Sequence, residues 1–195
     1  MKKEFLLIIF ITILSCGFAE IDKELIKQAE KGDIEAQYKV ARLYDLGKDT
    51  KEDKQKAIQW YEKAAEKSYA PAQIRLGDMY RLGDGVDKNY KKAFEYFKKA
   101  SNQGNISAKL KLARLFYLGR GVEKNYKKSF ELNKEAAESG NTKAHYNLAI
   151  FYYFGEGVDK NTAEAKVRLN KIINNPKADT SVKKDAERAL KNLKF

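Results

Sequence analysis

A period of 36 residues runs through this chain without a gap, and no other feature constrains its fold as strongly. Ala36, Ala72, Ala108 and Ala144 share one column, and Val40, Leu76, Leu112 and Leu148 share another. Ala41, Gly77, Ala113 and Ala149 follow, then Tyr44, Tyr80, Phe116 and Tyr152, then Gly47, Gly83, Gly119 and Gly155. A fixed period of this length marks stacked supersecondary units, each too small to bury its apolar face alone. Within one unit, apolar or small residues fall at positions 72, 76, 79, 80 and 82, and again at Ala93, Phe94, Phe97 and Ala100. Steps of three and four are helical, so each unit reads as two helices.

The breaks between helices carry their own chemistry. Gly47, Gly83, Gly119 and Gly155 stand where a residue just past a helix end adopts the left-handed conformation. Asp53, Asn89, Asn125 and Asn161 then serve as N-caps of the second helices, and Asn161 with Glu164 has the spacing of a capping box. Gly104 and Gly140 end second helices; Asp33, Asn105 and Asn141 start first ones. The two prolines, Pro71 and Pro176, fall near unit boundaries, where a helix stops or starts. The expected repeats are 33–68, 69–104, 105–140 and 141–176. Residues 20–32 form an N-terminal capping helix. Residues 177–195 form a polar C-terminal one, with Val182, Ala186, Ala189, Leu190 and Leu193 on its covered side.

The chain opens differently. Lys2 and Lys3 precede the apolar run Phe5 to Leu14, and small residues follow in "SCGFA". This is the order of a secretory signal peptide. Cleavage after Ala19 removes residues 1–19. Cleavage before Cys16 removes 1–15 and leaves Cys16 lipidated, and the two sites compete. The expected location is extracytoplasmic: periplasm, outer-membrane lipoprotein or secreted, with a membrane tether through the signal or Cys16. Cys16 is the only cysteine, so neither an internal disulfide nor a thiolate metal site is expected. The net charge is +12, carried by 39 Lys and Arg against 27 Asp and Glu. Lysine-rich charge makes a solvated surface and permits attraction to anionic partners. Nucleic acid is not expected, since arginines are few and no nucleic-acid module is present.

Three stretches resemble one another and a known family. "RLGDGVDKNYKKAFEYF", "YLGRGVEKNYKKSFEL" and "YFGEGVDKNTAEA", with "WYEKAAE" in the first repeat, are similar to the Sel-one-like repeat (SLR), a relative of the tetratricopeptide repeat. The resemblance covers residues 33–176, and repeat one departs from it at Asp49, Thr50 and Lys54. It implies an all-α, right-handed α-solenoid of four 36-residue antiparallel helix pairs with capping helices. It also implies a non-catalytic protein–protein interaction scaffold, monomeric and without cofactor, binding a peptide or protein segment on its concave face. In such stacks the first helices line that face, which places columns 38, 42 and 45 there. Aromatics beside arginines in those columns have hot-spot character. The partner-binding candidates are Arg42, Asp78, Arg81, Arg114, Tyr117, Tyr146 and Tyr153; the column of Tyr38, Ile74, Leu110 and Tyr146 also serves packing.

Other constellations carry less. The Gly-x-Gly loops lack the preceding strand and the Gly-Lys-[Ser/Thr] of a phosphate-binding loop. His145, the only histidine, shares a column with Gln37, Gln73 and Lys109 and reads as an exposed polar position, without the companions a metal site needs. The Lys91–Lys92 and Lys127–Lys128 pairs read as a solvated outer face, with a basic stripe for a polyanion as the alternative. The rival function is a β-lactamase-like or penicillin-binding hydrolase of the cysteine-rich secreted branch of the family. Its paired cysteines are absent: their columns hold Ala65 and Gln73, Ser101 and Lys109, Ala137 and His145. Ser181 and Lys184 match Ser-x-x-Lys, but no Lys-Thr-Gly accompanies them.

Overall fold

The computed structural model describes residues 21–48 and 50–193; the expected leader and Cys16 lie outside the described residues. The described chain forms ten helices and no strand. They are α1 (Lys23–Glu30), α2 (Ile34–Leu46), α3 (Lys54–Glu66), α4 (Ala70–Leu82), α5 (Tyr90–Asn102), α6 (Ile106–Leu118), α7 (Tyr126–Glu138), α8 (Thr142–Phe154), α9 (Thr162–Ile173) and α10 (Thr180–Asn192). None is long and apolar enough to cross a membrane. The chain divides between Asp87 and Lys88 into two compact units, α1–α4 and α5–α10.

The helix ends follow from local chemistry. Gly47, Gly83, Gly119 and Gly155 all adopt positive φ of 63–79° and return their N–H to the last turn of a first helix. The side chains of Asp53, Asn89, Asn125 and Asn161 each accept from the backbone N–H three residues on. The capping box at Asn161 closes from one side: Glu164 donates its N–H to Asn161, while its carboxylate pairs with Arg168 at 2.7 Å. Helix α4 starts without a side-chain cap, at Tyr69, and has Pro71 in its first turn. Just before it, Ser68 adopts φ 63°, in the column where Gly32, Gly104 and Gly140 stand.

The second glycine of each loop has a different task. A Cβ on Gly121 would collide with the backbone at Tyr90 and Lys91, and one on Gly157 with the backbone at Tyr126 and Lys127. The loop therefore lies directly against the start of the preceding repeat's second helix, a distance only glycine permits. The Gly-x-Gly pattern is a backbone contact within the stack.

In the first unit each helix packs on the next. Ala29, Ala36 and Val40 form a buried cluster edged by Leu25, Ile26, Tyr44 and Trp60. In the second unit Ala136, Ala137, Ala144 and Leu148 pack with Ile106, Leu110, Phe130 and Tyr152. A further cluster joins α8, α9 and α10 through Ala149, Ala165, Leu169, Ile172, Val182 and Ala186. The small residue of the third column is buried throughout, as Ala41, Gly77, Ala113 and Ala149, so that helix backbones approach closely.

One column contradicts its expected exposure. His145 is 7% exposed, and Gln37 and Gln73 in the same column are 4% and 2% exposed. The reason is a hydrogen bond to the preceding helix. Gln37 Nε2 donates to the Ala29 carbonyl and Gln73 Nε2 to the Ala65 carbonyl, both at 3.1 Å. Those carbonyls belong to the last turns of α1 and α3, where each also accepts a backbone N–H at 3.0 Å, Gly32 to Ala29 and Ser68 to Ala65, and keeps a lone pair for the amide. His145 lies 3.5 Å from Arg168, and burial, Lys171 and Arg168 hold its imidazole below the usual range.

Candidate functional site

The second unit carries an open groove of about 800 Å³ between α6, α8 and the final helix α10. Arg114 and Tyr117 enter it from α6, Tyr146 and Ile150 from α8, and Val182 and Asp185 from α10. Each pair is spaced by three or four residues and so shares one helix face. Three of the sequence candidates, Arg114, Tyr117 and Tyr146, thus come together.

The polar floor of the groove was not anticipated. Ser129 and Asn133 line it and are 1% and 2% exposed. Asn147 Nδ2 donates to Asn133 Oδ1 at 2.8 Å, Asn133 Nδ2 to the Ser129 carbonyl at 2.8 Å, and Ser129 Oγ to the Ala113 carbonyl at 2.8 Å. This ladder fixes the orientation of the Asn147 amide at the groove wall, and a fully satisfied buried network of this kind is rigid. A signal for it exists in the repeat. Ser129 sits in the column of Ala57, Ala93 and Ala165, and Asn133 in the column of Tyr61, Phe97 and Leu169. Two otherwise apolar columns turn polar together only in the third unit.

Tyr117 forms one end of the groove. Its ring meets Tyr126 and Phe151 edge-on at centroid distances of 5.1 and 5.7 Å. Its hydroxyl donates to Glu156 Oε2 at 2.8 Å. That hydrogen bond, with burial, pushes the phenol up to about 12.

The remaining candidates lie elsewhere. Tyr153 is half-buried, packed on the cluster that joins α8 to α10, with Phe154 edge-on at 5.0 Å and Lys160 above its ring. In the first unit, Arg42 is exposed on α2, and Arg81 pairs with Asp78 one turn back on α4 at 3.0 Å.

Asp45, which shares the column of Arg81, Tyr117 and Tyr153, is not a groove residue. It is 4% exposed and accepts from Arg75 at 2.6 Å, from Lys54 Nζ at 2.8 Å and from the Tyr61 hydroxyl at 3.0 Å. Asp84 pairs with Arg75 at 2.6 Å and lies 3.6 Å from Lys54. Burial pushes the Asp45 carboxyl up, and the hydrogen bonds from Arg75 and Lys54 outweigh it, leaving the group at about 2. Lys54 is where repeat one departs from the tyrosines of repeats two and three. Among the described residues no group of three His, Cys, Asp or Glu is placed to hold a metal ion.

The Sel1 repeat family matches the chain at residues 34–69, 70–105, 106–141 and 142–166. Among solved structures, a protective antigen of uropathogenic Escherichia coli strains displaying an SLR fold is 34% identical, with a TM-score of 0.72 over 75% of this chain and 32% of that one. A Sel1 repeat protein from Oxalobacter formigenes is 35% identical, with a TM-score of 0.68 over 71% of this chain and 55% of that one. The chain therefore spans about a third to a half of these two relatives. Cysteine-rich protein B of Helicobacter pylori is 28% identical, with a TM-score of 0.51 over 66% of this chain and 97% of that one. No curated protein matches.

Proposed function

The chain belongs to the Sel1 repeat family, whose repeats generally mediate protein–protein interaction, and from that premise we propose that it is an exported, non-catalytic scaffold that binds a peptide or protein segment. The observation that carries this reading is the groove between α6, α8 and α10, where Arg114, Tyr117 and Tyr146 converge. Its combination of aromatic rings, an arginine and an oriented amide suits an extended segment. Rings and guanidinium supply contact area with few rotamers to freeze. Arg42, Asp78, Arg81 and Tyr153 are partner-binding candidates outside this groove. The protein works as a monomer outside the cytoplasm, delivered by its N-terminal leader and held there, where Cys16 is lipidated, by the lipid.

Affinity capture from intact cell envelopes tests the proposal. The expected result is a set of partners retained by the wild type and lost from the triple variant Arg114→Ala, Tyr117→Ala, Tyr146→Ala. Partners that all survive the triple substitution would remove the groove from the function. A hydrolytic reading attaches to one observation, Ser181 at the wall of the same groove. Covalent labelling by a fluorescent penicillin that disappears in Ser181→Ala would install it in place of the scaffold.

A further inference from the structure

The charge of the molecule is concentrated in one unit. Residues 88–195 hold 24 Lys and Arg against 11 Asp and Glu, while residues 1–87 hold 15 against 16, a net +13 and −1 that together give the chain's +12. The groove lies in the basic unit and repeats its bias. Three cations, Lys111, Arg114 and Lys143, line it with one carboxylate, Asp185. Asp185 already pairs with Arg188 at 3.7 Å. Lys111 lies 5.7 Å from the Phe97 ring. Arg114 and Lys143 are both exposed and form no ion pair among the described residues. The nearby acids have local tasks: Glu156 accepts from Tyr117, and Asp179 caps α10 through Ser181, with the charge of Lys143 adding to the groups that hold its carboxyl below the usual range. Between the cations the lining is apolar or aromatic, with Leu110, Tyr146, Ile150 and Val182.

We propose that this groove takes an acidic protein segment, one in which an apolar side chain is flanked by carboxylates. The proposal rests on the scaffold reading above and names the class of segment. The apolar side chain covers Leu110 and Ile150, the flanking carboxylates meet Arg114 and Lys143, and the Asn147 amide, oriented by Asn133, pairs with the segment's backbone. Charge complementarity of this kind selects partners and raises their association rate. It also disfavours other occupants. A second copy presenting the same unit brings a like charge of +13 to the groove. The chain's own leader, with Lys2 and Lys3 ahead of its apolar run, has the wrong sign.

Fluorescence polarisation of the purified protein with labelled ten-residue peptides tests this. Three sets share a central Leu-Phe and differ in their flanks: Asp/Glu, Ser or Lys. A fourth probe, poly-glutamate, has no apolar residue. The expected order is Asp/Glu flanks at least tenfold tighter than Ser flanks, with Lys flanks and poly-glutamate weakest, and an affinity for the acidic set that falls as salt rises. The double variant Arg114→Glu, Lys143→Glu should reverse the preference toward Lys flanks, and Arg114→Gln alone should reduce the acidic set's advantage severalfold. Both sites are exposed, and circular dichroism verifies the fold of each variant. Equal binding of Ser- and Asp/Glu-flanked peptides, lost in Ile150→Asp, would overturn the acidic preference and leave the scaffold reading standing. Poly-glutamate binding as tightly as the acidic peptides would overturn the inference in favour of a polyanion. Failure of all four probes to bind would count against both readings.

Discussion

The slot around Asp45 in the first unit and the slot around Tyr117 in the second are built from the same columns of the repeat and filled in opposite ways. Asp45, Lys54, Arg75 and Asp84 correspond at a spacing of 72 residues to Tyr117, Tyr126, Asn147 and Glu156. In the first unit these positions form a buried carboxylate ringed by two cations and a second acid. In the second they form two tyrosines packed edge-on, with one phenol donating to one carboxylate. One slot is closed by charge, and the other opens into a groove. The backbone of the repeat thus accepts either solution. What differs is whether the side chains close on one another as charges or pack as rings beside an open groove.

The largest expected effect breaks the charged slot. Asp45→Ala leaves Arg75 and Lys54 without their shared carboxylate and should cost about 3 kcal/mol, near the low end for a disrupted buried pair because both cations keep some solvent. A lowered urea midpoint by circular dichroism would show it; an unchanged midpoint would mean that the cluster contributes nothing. Acid titration is the next probe. The Asp45 carboxyl titrates at about 2 in the folded protein, below its ordinary 3.8. Its contribution is therefore complete above roughly pH 4 and disappears as pH falls through 2, amounting to about 2 kcal/mol. The stability gap between wild type and Asp45→Asn, followed from pH 5 to pH 2, should close over that window; a constant gap would contradict the assignment.

The smaller effects sharpen the aromatic side. Tyr117→Phe removes one hydrogen bond to Glu156 and should cost about 1 kcal/mol. It should also delete a phenol titrating at about 12 from the absorbance curve. Because that group is raised in the folded state, its contribution holds below pH 10 and is lost as pH rises through 12. The smallest change is expected from exchanging the whole slot. Asp45→Tyr, Lys54→Tyr, Arg75→Asn and Asp84→Glu together transplant the second unit's solution into the first, and should alter stability by about 1 kcal/mol or less, since well-packed replacements of buried ion pairs are often neutral. A loss as large as that of Asp45→Ala alone would show that the two slots are not interchangeable.

The helices and their ends were legible in the sequence because their causes are local. A glycine past a helix end, or an asparagine before one, finds its partner within three or four residues. Asp45 and Gln37 were not legible for the opposite reason. A polar residue in a first helix reads as solvated until its partner is known, and the partners of Asp45 lie 9, 16 and 30 residues away. Repeat alignment supplies part of what local reading lacks: Asn133, alone and polar in an apolar column, carried a mark of the groove floor that single helices do not show. The assembly of Arg114, Tyr117 and Tyr146 with α10 lay beyond such marks, since it depends on where a non-repeating terminal helix settles.

The buried glutamines have a consequence for how such a chain lengthens. Gln37 and Gln73 both fasten backward, to the carbonyl end of the helix that precedes their own pair. A duplicate of either of these two repeats therefore arrives with its own attachment, whereas Lys109 and His145 hold the column in the other two. The requirement falls on the beginning of the array, where some helix must exist for the first glutamine to hold. Helix α1, eight residues long and followed by Gln37's bond to Ala29, meets it: a primer from which further copies can be added in one direction.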